Sequence, residues 1–273
     1  MLIDTHAHIN FNAFKDNGEE AVKRALAEDI WIINVGSERK TSQRAVEYAQ
    51  KYKEGVFAAV GLHPGSLRAQ EIETKVDEKE TVNFKMEAEE FDYEFYKNLA
   101  QQDKVVAIGE IGLDYYRNVA RPELQKEALL EQLGLAECLN KPVMLHCREA
   151  HDDLLKILKT WTMVGNKPPR GVIHSFSGRW SQAEQYLAMG FYLGFNGIIT
   201  FARDYDRVVK EMPLERLLLE TDCPYLTPEP FRGKRNEPSY VKYVAQKVAE
   251  LRGISVEKVA EATTKNAKNL FKL

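Results

Sequence analysis

Met1-Leu2-Ile3-Asp4-Thr5-His6-Ala7-His8 opens the chain, a hydrophobic run that ends in two histidines one residue apart. On a β-strand, residues two apart share a face, so His6 and His8 aim both imidazoles at one spot. Neutral imidazole is the commonest protein ligand for a metal ion, although a solvated edge or an ordinary hydrogen-bonded pair would read the same way. The residues after this run bear on the fold. No Gly-rich GxGxxG turn succeeds it, which weakens a doubly wound dinucleotide-binding sheet.

Further along, short β-rich runs alternate with longer stretches of helical periodicity. The strand candidates are Leu2–Ile9, Ile30–Gly36, Val56–Leu62, Val105–Ile111, Pro142–His146, Gly171–His174, Phe191–Phe195 and Arg216–Glu220. Between them, Glu19–Glu28, Thr41–Tyr52, Pro122–Leu139, Ala150–Trp161 and Ser181–Met189 place apolar residues at helical spacing. Alternation of this kind implies parallel strands with helical crossovers, and eight units in about 250 residues is the size of a (β/α)₈ TIM barrel. No composition shift marks a linker, so residues 1–273 read as a single domain. Ser66–Phe91 stands apart as a long acidic insertion (Glu71, Glu73, Asp77, Glu78, Glu80, Glu87, Glu89, Glu90), read as a solvated surface segment or as a lid over the catalytic face.

Composition narrows the functional classes. The 273 residues are 44% hydrophobic and 29% charged, ordinary for a globular protein, and no apolar run approaches the roughly 20 residues that span a bilayer. A first strand beginning near Met1 leaves no room for a signal peptide, so the expected location is cytoplasmic. Cys138, Cys147 and Cys223 form no CxxC pair and suggest a reducing compartment rather than a disulfide framework. A net charge of -3 excludes general polyanion binding, so contacts to nucleic acid must be local.

Five of the six histidines fall at strand ends, and only His151 lies in a helical stretch. The other polar strand ends carry Glu110, within Ala107-Ile108-Gly109-Glu110-Ile111-Gly112, and Asp222. A carboxylate on an apolar strand is costly to bury unless it is paired or metal-bound. In a barrel all these ends converge on one rim. Four imidazoles and two carboxylates exceed the needs of one tetrahedral ion and suit two divalent cations. The inferred ligands are His6, His8, Glu110, His146, His174 and Asp222, with Glu110 bridging and His63 left to contact the substrate or to support a ligand from behind. Mixed N/O ligation leaves Zn, Mn and Mg among the possible ions.

Taken together, Asp4-Thr5-His6-Ala7-His8, Gly61-Leu62-His63-Pro64, Gly109-Glu110-Ile111-Gly112-Leu113-Asp114-Tyr115-Tyr116, His174-Ser175-Phe176-Ser177-Gly178, Glu220-Thr221-Asp222-Cys223-Pro224-Tyr225-Leu226 and Arg232-Gly233-Lys234-Arg235-Asn236-Glu237-Pro238 resemble the motifs of TatD-type metal-dependent deoxyribonucleases, within the amidohydrolase superfamily. The resemblance implies a TIM barrel and phosphodiester hydrolysis, typically 3′–5′ exonuclease action on DNA. It places the family's metal positions on the same six residues. Cys147, Glu149 and the length of the Ser66–Phe91 insertion depart from the family's pattern.

The expected chemistry is attack on phosphorus by a water activated between two cations, with Asp222 as proton acceptor and His63 contacting the phosphate or protonating the leaving oxygen. Arg148, Arg179, Lys234 and Arg235 are candidates for neighbouring phosphates, and Tyr115 and Tyr225 for base stacking. DNA is the expected substrate, with RNA and small phosphodiesters as further candidates, and no membrane or obligate protein partner is inferred. An amidase or lactonase acting on a small carbonyl substrate would use the same cations, and a non-catalytic nucleic-acid-binding protein would leave the ligands without a role.

Overall fold

The computed structural model describes residues 1–75, 81–116 and 120–273. Its eight apolar runs form β1 (Leu2–Ala7), β2 (Ile30–Val35), β3 (Val56–Val60), β6 (Val105–Asp114), β7 (Val143–Arg148), β8 (Gly171–Ile173), β9 (Tyr192–Phe195) and β10 (Leu217–Leu219). They lie side by side in the order β1-β2-β3-β6-β7-β8-β9-β10. Every pairing in this sheet is parallel. Between the first and last strands a parallel bridge joins Ala7 to Cys223. His8 N donates to Cys223 O and Asp222 N to His6 O, each at 2.9 Å. The barrel is thus nearly closed, and it closes at the end where β1 delivers its histidines.

Helices α1 (Gly18–Ala27), α2 (Arg39–Lys51), α3 (Tyr93–Ala100), α4 (Pro122–Cys138), α5 (His151–Met163), α6 (Trp180–Ala188) and α7 (Asp206–Glu211) connect the strands, and α8 (Val241–Arg252) and α9 (Val256–Phe271) follow the last one. Two apolar layers result. Ile32, Val60, Leu145, Ile173 and Leu217 face outward into a large cluster with helical residues such as Ala45, Leu133, Leu154, Ala183 and Val244. Ile33, Val35, Met144, Val172 and Leu218, offset by one residue, fill the barrel interior together with Leu270 and Phe271 from the end of α9. The period-2 alternation of strands therefore separates an outer from an inner core.

Two features differ from the sequence reading. The fourth barrel strand runs on to Asp114 rather than stopping at Ile111. Gly112 permits this: its φ is +145°, and a Cβ there would stand 2.0 Å from the His146 carbonyl oxygen. The acidic insertion, moreover, is not a plain loop. It contains an antiparallel pair, β4 (Gln70–Lys75) with β5 (Thr81–Met86), that forms its own two-stranded sheet. Asp77, Glu78 and Glu80 lie outside the described residues. At the base of this pair, Glu89 N donates to Ser66 O at 2.9 Å, while the Glu89 carboxylate accepts from Arg39 N at 2.9 Å and from the Tyr96 hydroxyl at 2.7 Å. Among the described residues, no helix is long and apolar enough to cross a membrane.

Candidate metal centre

The inner-core alternation also builds the site. Met144, Val172 and Leu218 lie in the barrel interior. Two positions further on come His146, His174 and Glu220, carried to the C-terminal rim on the same side of the chain. From β1, His6 and His8 bring their Nε2 atoms to 3.2 Å of each other, as the one-residue spacing predicts. The His6 ring stacks on His174, with centroids 3.6 Å apart, and His8 stacks on Phe11 at 4.2 Å. Register shifts in β1 and β6, next to His6 and Glu110, re-aim these side chains.

Glu110 occupies the middle. Its Oε2 lies 3.6 Å from His6 Nε2 and 3.8 Å from His8 Nε2. Its Oε1 lies 2.9 Å from His146 Nδ1, 3.3 Å from His174 Nε2 and 3.7 Å from His63 Nε2. Asp222 approaches His8 Nε2 at 3.4 Å with its Oδ1. Its backbone is left-handed, with φ 55°, a conformation that Asp tolerates better than most residues. All six inferred ligands thus meet around one carboxylate.

Charge here is finely opposed. Burial pushes the Glu110 carboxyl up, but His63, His174 and His146 outweigh it and hold the group well below its usual range. Burial also acts against Asp222, and His174, His8 and His6 bring it down overall. His174 goes up despite burial because Glu220, Glu110 and Asp222 face it. His146 is likewise raised, to about 9, by Asp114 and Glu110 acting against burial. His6 is lowered by burial and by His174.

The donor set fits a cation. His8 Nδ1 donates to the Val35 carbonyl at 2.9 Å, so in the neutral ring the Nε2 lone pair points at Asp222 and Glu110 oxygens. Two acceptors face to face repel each other unless a cation or a proton lies between them. Imidazole nitrogens and carboxylate oxygens are the ligands that borderline divalent ions prefer. Among the described residues three local groupings stand out: His6 with His8 and Asp222, His6 with Glu110 and His174, and His63 with Asp114 and His146.

Around this cluster opens a cavity of about 1380 Å³. Phe11, Arg39, Lys40, Arg44, Arg148, Tyr205 and Tyr225 line it, as do Glu87 and Glu89 from the end of the acidic insertion. His63 is on this wall, and its Nδ1 accepts from Gly65 N at 2.9 Å, so its neutral form carries the proton on Nε2. Burial pushes its pKa down to about 4, only partly opposed by Glu110.

The remaining sequence candidates divide. Arg148 is an exposed cavity residue whose guanidinium stacks on Tyr116 at 3.7 Å. Arg179, Lys234, Arg235 and Tyr115 do not line the cavity. Arg179 sits exposed at the N-terminal cap of α6. Lys234 is exposed, with its ammonium 5.3 Å from the Phe231 ring. Arg235 donates to the Ala13 carbonyl and covers Phe14, which is a packing arrangement. The Tyr115 hydroxyl donates to Asp153 at 2.7 Å, and its pKa is pushed up to about 12 by burial and that bond. Charge and aromaticity were visible in the sequence, but side-chain direction was not. The sequence reading also passed over three buried carboxylates. Asp4 accepts from Thr221 N at 2.9 Å and from its hydroxyl, tying β1 to β10; Asp114 and Glu220 stand behind His146 and His174.

Comparison with known proteins agrees with this geometry. The family model described as TatD related DNase matches residues 3–272. The chain is 43% identical to the uncharacterized metal-dependent hydrolase YabD of Bacillus subtilis, with 100% of both chains covered. It is 33% identical to the 3′-5′ ssDNA/RNA exonuclease TatD of Erwinia tasmaniensis, again over 100% of both. Among solved structures, the TatD homolog YJJV of Escherichia coli superimposes with a TM-score of 0.85 at 32% identity, covering 100% of this chain and 98% of the other.

Proposed function

Since the chain belongs to the TatD-related DNase family of metal-dependent hydrolases, we propose that it hydrolyses phosphodiester bonds of single-stranded DNA from the 3′ end, with two divalent cations at the Glu110 cluster. The observation that carries this reading is the convergence of four imidazoles and two carboxylates at the floor of an open cleft. His6, His8 and Asp222 would hold one cation, His146 and His174 the other, and Glu110 would stand between them. When bound, such ions acidify water and offset the charge that develops on a phosphoryl group.

The chain's own residues supply the rest. Asp222 is ionised, because the surrounding imidazoles outweigh its burial, and it accepts the proton of the attacking water. Its main-chain N–H is held by His6 O at 2.9 Å, which fixes the carboxylate over His8. His63 presents Nε2–H as a neutral donor to a phosphate oxygen. Arg148 meets a neighbouring phosphate from the cleft wall, and Tyr225 and Tyr205 offer ring faces to bases.

The test is an assay of metal-stripped and reconstituted protein on 3′- and 5′-labelled single-stranded DNA, duplex DNA and RNA, beside a panel of lactones and amides. The expected result is stepwise shortening from the 3′ end of single strands, with the carbonyl substrates untouched. Turnover of a lactone or amide with DNA left intact would overturn the reading.

A further inference from the structure

Behind each imidazole that reaches Glu110 from the β7–β8 side stands a buried carboxylate to which the proposed chemistry gives no role. His146 turns Nδ1 to Glu110 at 2.9 Å and Nε2 to Asp114 Oδ2 at 3.0 Å. His174 turns Nε2 to the same Glu110 oxygen at 3.3 Å and Nδ1 to Glu220 Oε1 at 3.1 Å. The second pair is at contact distance but not in line for a hydrogen bond, and Glu220 Oε1 takes the Ser175 N–H at 2.6 Å. On the β1 side the backing is different. His8 leans on a peptide carbonyl, and among the described residues His6 Nδ1 has no hydrogen-bond partner.

Both carboxylates are placed by their surroundings rather than by the imidazoles. Asp114 accepts from Tyr116 N at 2.9 Å, and Gln125 clasps its main chain by donating to the carbonyl at 2.8 Å and accepting from the N–H at 2.7 Å. Glu220 is fully buried, and its second oxygen rests against Gly194, where a Cβ would come within 2.3 Å. Among the described residues neither carboxylate pairs with Arg or Lys. Buried anions need compensating charge. Here it can reach them only through the imidazoles, from protons or from a cation on the far nitrogen.

Resting on the two-cation reading above, we propose that Asp114 and Glu220 are positioning residues for one of the two cations. Asp114 sets His146 in the Nε2–H tautomer through its hydrogen bond, and the Glu220 charge 3.1 Å from His174 Nδ1 favours the Nδ1–H tautomer there, so that the opposite lone pairs converge beside Glu110. A carboxylate behind an imidazole also makes it a stronger base. The cation at His146, His174 and Glu110 therefore depends on Asp114 and Glu220, whereas the one at His6, His8 and Asp222 does not.

Metal-stripped protein titrated with Mn²⁺, followed by calorimetry and electron paramagnetic resonance, reads this without reference to turnover. Wild type takes up two ions. Glu220→Gln and Asp114→Asn each weaken one ion by about 10–100-fold and leave the other unchanged. Asp222→Asn weakens the other ion, so the Glu220→Gln/Asp222→Asn double variant holds neither well. Two ions bound as in wild type by both single variants would overturn the proposal alone. Equal weakening of both ions would overturn it too, as the sign of a general structural role. Should Glu220→Gln fail to fold, Asp114→Asn, at the cleft edge, decides. A wild type that binds no ion at this cluster overturns the functional reading itself.

Discussion

Asp222 draws together strain, charge and position more than any other residue of the chain. It sits in the left-handed region, faces three histidines and closes the barrel through its main-chain N–H. Replacing its carboxylate with an amide keeps shape and backbone but removes the base, so Asp222→Asn should lower kcat by about 10²–10⁴-fold with the circular dichroism spectrum retained. Retained hydrolysis would remove Asp222 from that role. His151 gives the pH dependence of stability. It is buried behind β7 with Nδ1 on the Tyr186 hydroxyl, and burial lowers its pKa to about 4, with Asp152 opposing. Between about pH 6.5 and 4 the unfolded chain therefore binds a proton that the folded one refuses, and stability falls as pH falls. His151→Gln should flatten the dependence of unfolding free energy on pH in that window by up to about 1.4 kcal/mol per pH unit, measured by urea titration. At this scale the convergence of the six proposed ligands was legible, because histidine and acid at the ends of apolar strands are costly without a purpose. Glu220 was not, since it stands one turn of the alternation before Asp222 and reads as part of the same strand end. Arg235 was read from its charge, which is plain in the sequence, while its bond to the Ala13 carbonyl is not.

Strands and helices were read mostly to within a few residues, because parallel strands buried on both faces are continuous β-branched runs bounded by turns. The misses have local reasons. Asp114 and Gly112 look like a turn, yet β6 continues through them because it lies against β7 with Gly112 making room for His146 O. The β4–β5 pair was hidden by the acidic residues around it, since the two strands themselves hold two Glu and two Lys. Among the described residues those two strands pair only with each other, and the Glu89 anchor lies outside them. Excising residues 71–85 with a short Gly-Ser join should therefore shift the unfolding free energy by less than about 1 kcal/mol. It should at the same time alter KM for oligonucleotides, since Glu87 and Glu89 line the cleft. Calorimetric unfolding and steady-state kinetics check both halves, and loss of the fold would show the pair to be part of the barrel's support.

At the scale of the whole molecule, chemistry and stability occupy opposite ends of one barrel. The C-terminal rim holds the Glu110 cluster, and the other end is filled by Leu270 and Phe271, which pack with Ile3, Ile33 and Leu218. A site with this many buried charges needs a rigid frame to hold it, and the α9 plug helps to supply one. Phe271→Ala should cost about 3–5 kcal/mol of unfolding free energy while the affinity for divalent ions stays as in wild type. Coupled loss of both would mean that the two ends are not independent. The central claim is that two cations at the Glu110 cluster make this chain a phosphodiesterase. The most direct measurement is the rate of 3′-labelled single-stranded DNA shortening by metal-stripped protein as Mn²⁺ is added in known equivalents. The account predicts no cleavage without ions and a rise that needs the second equivalent per chain. Full activity at one equivalent, or activity that survives a chelator, would contradict it.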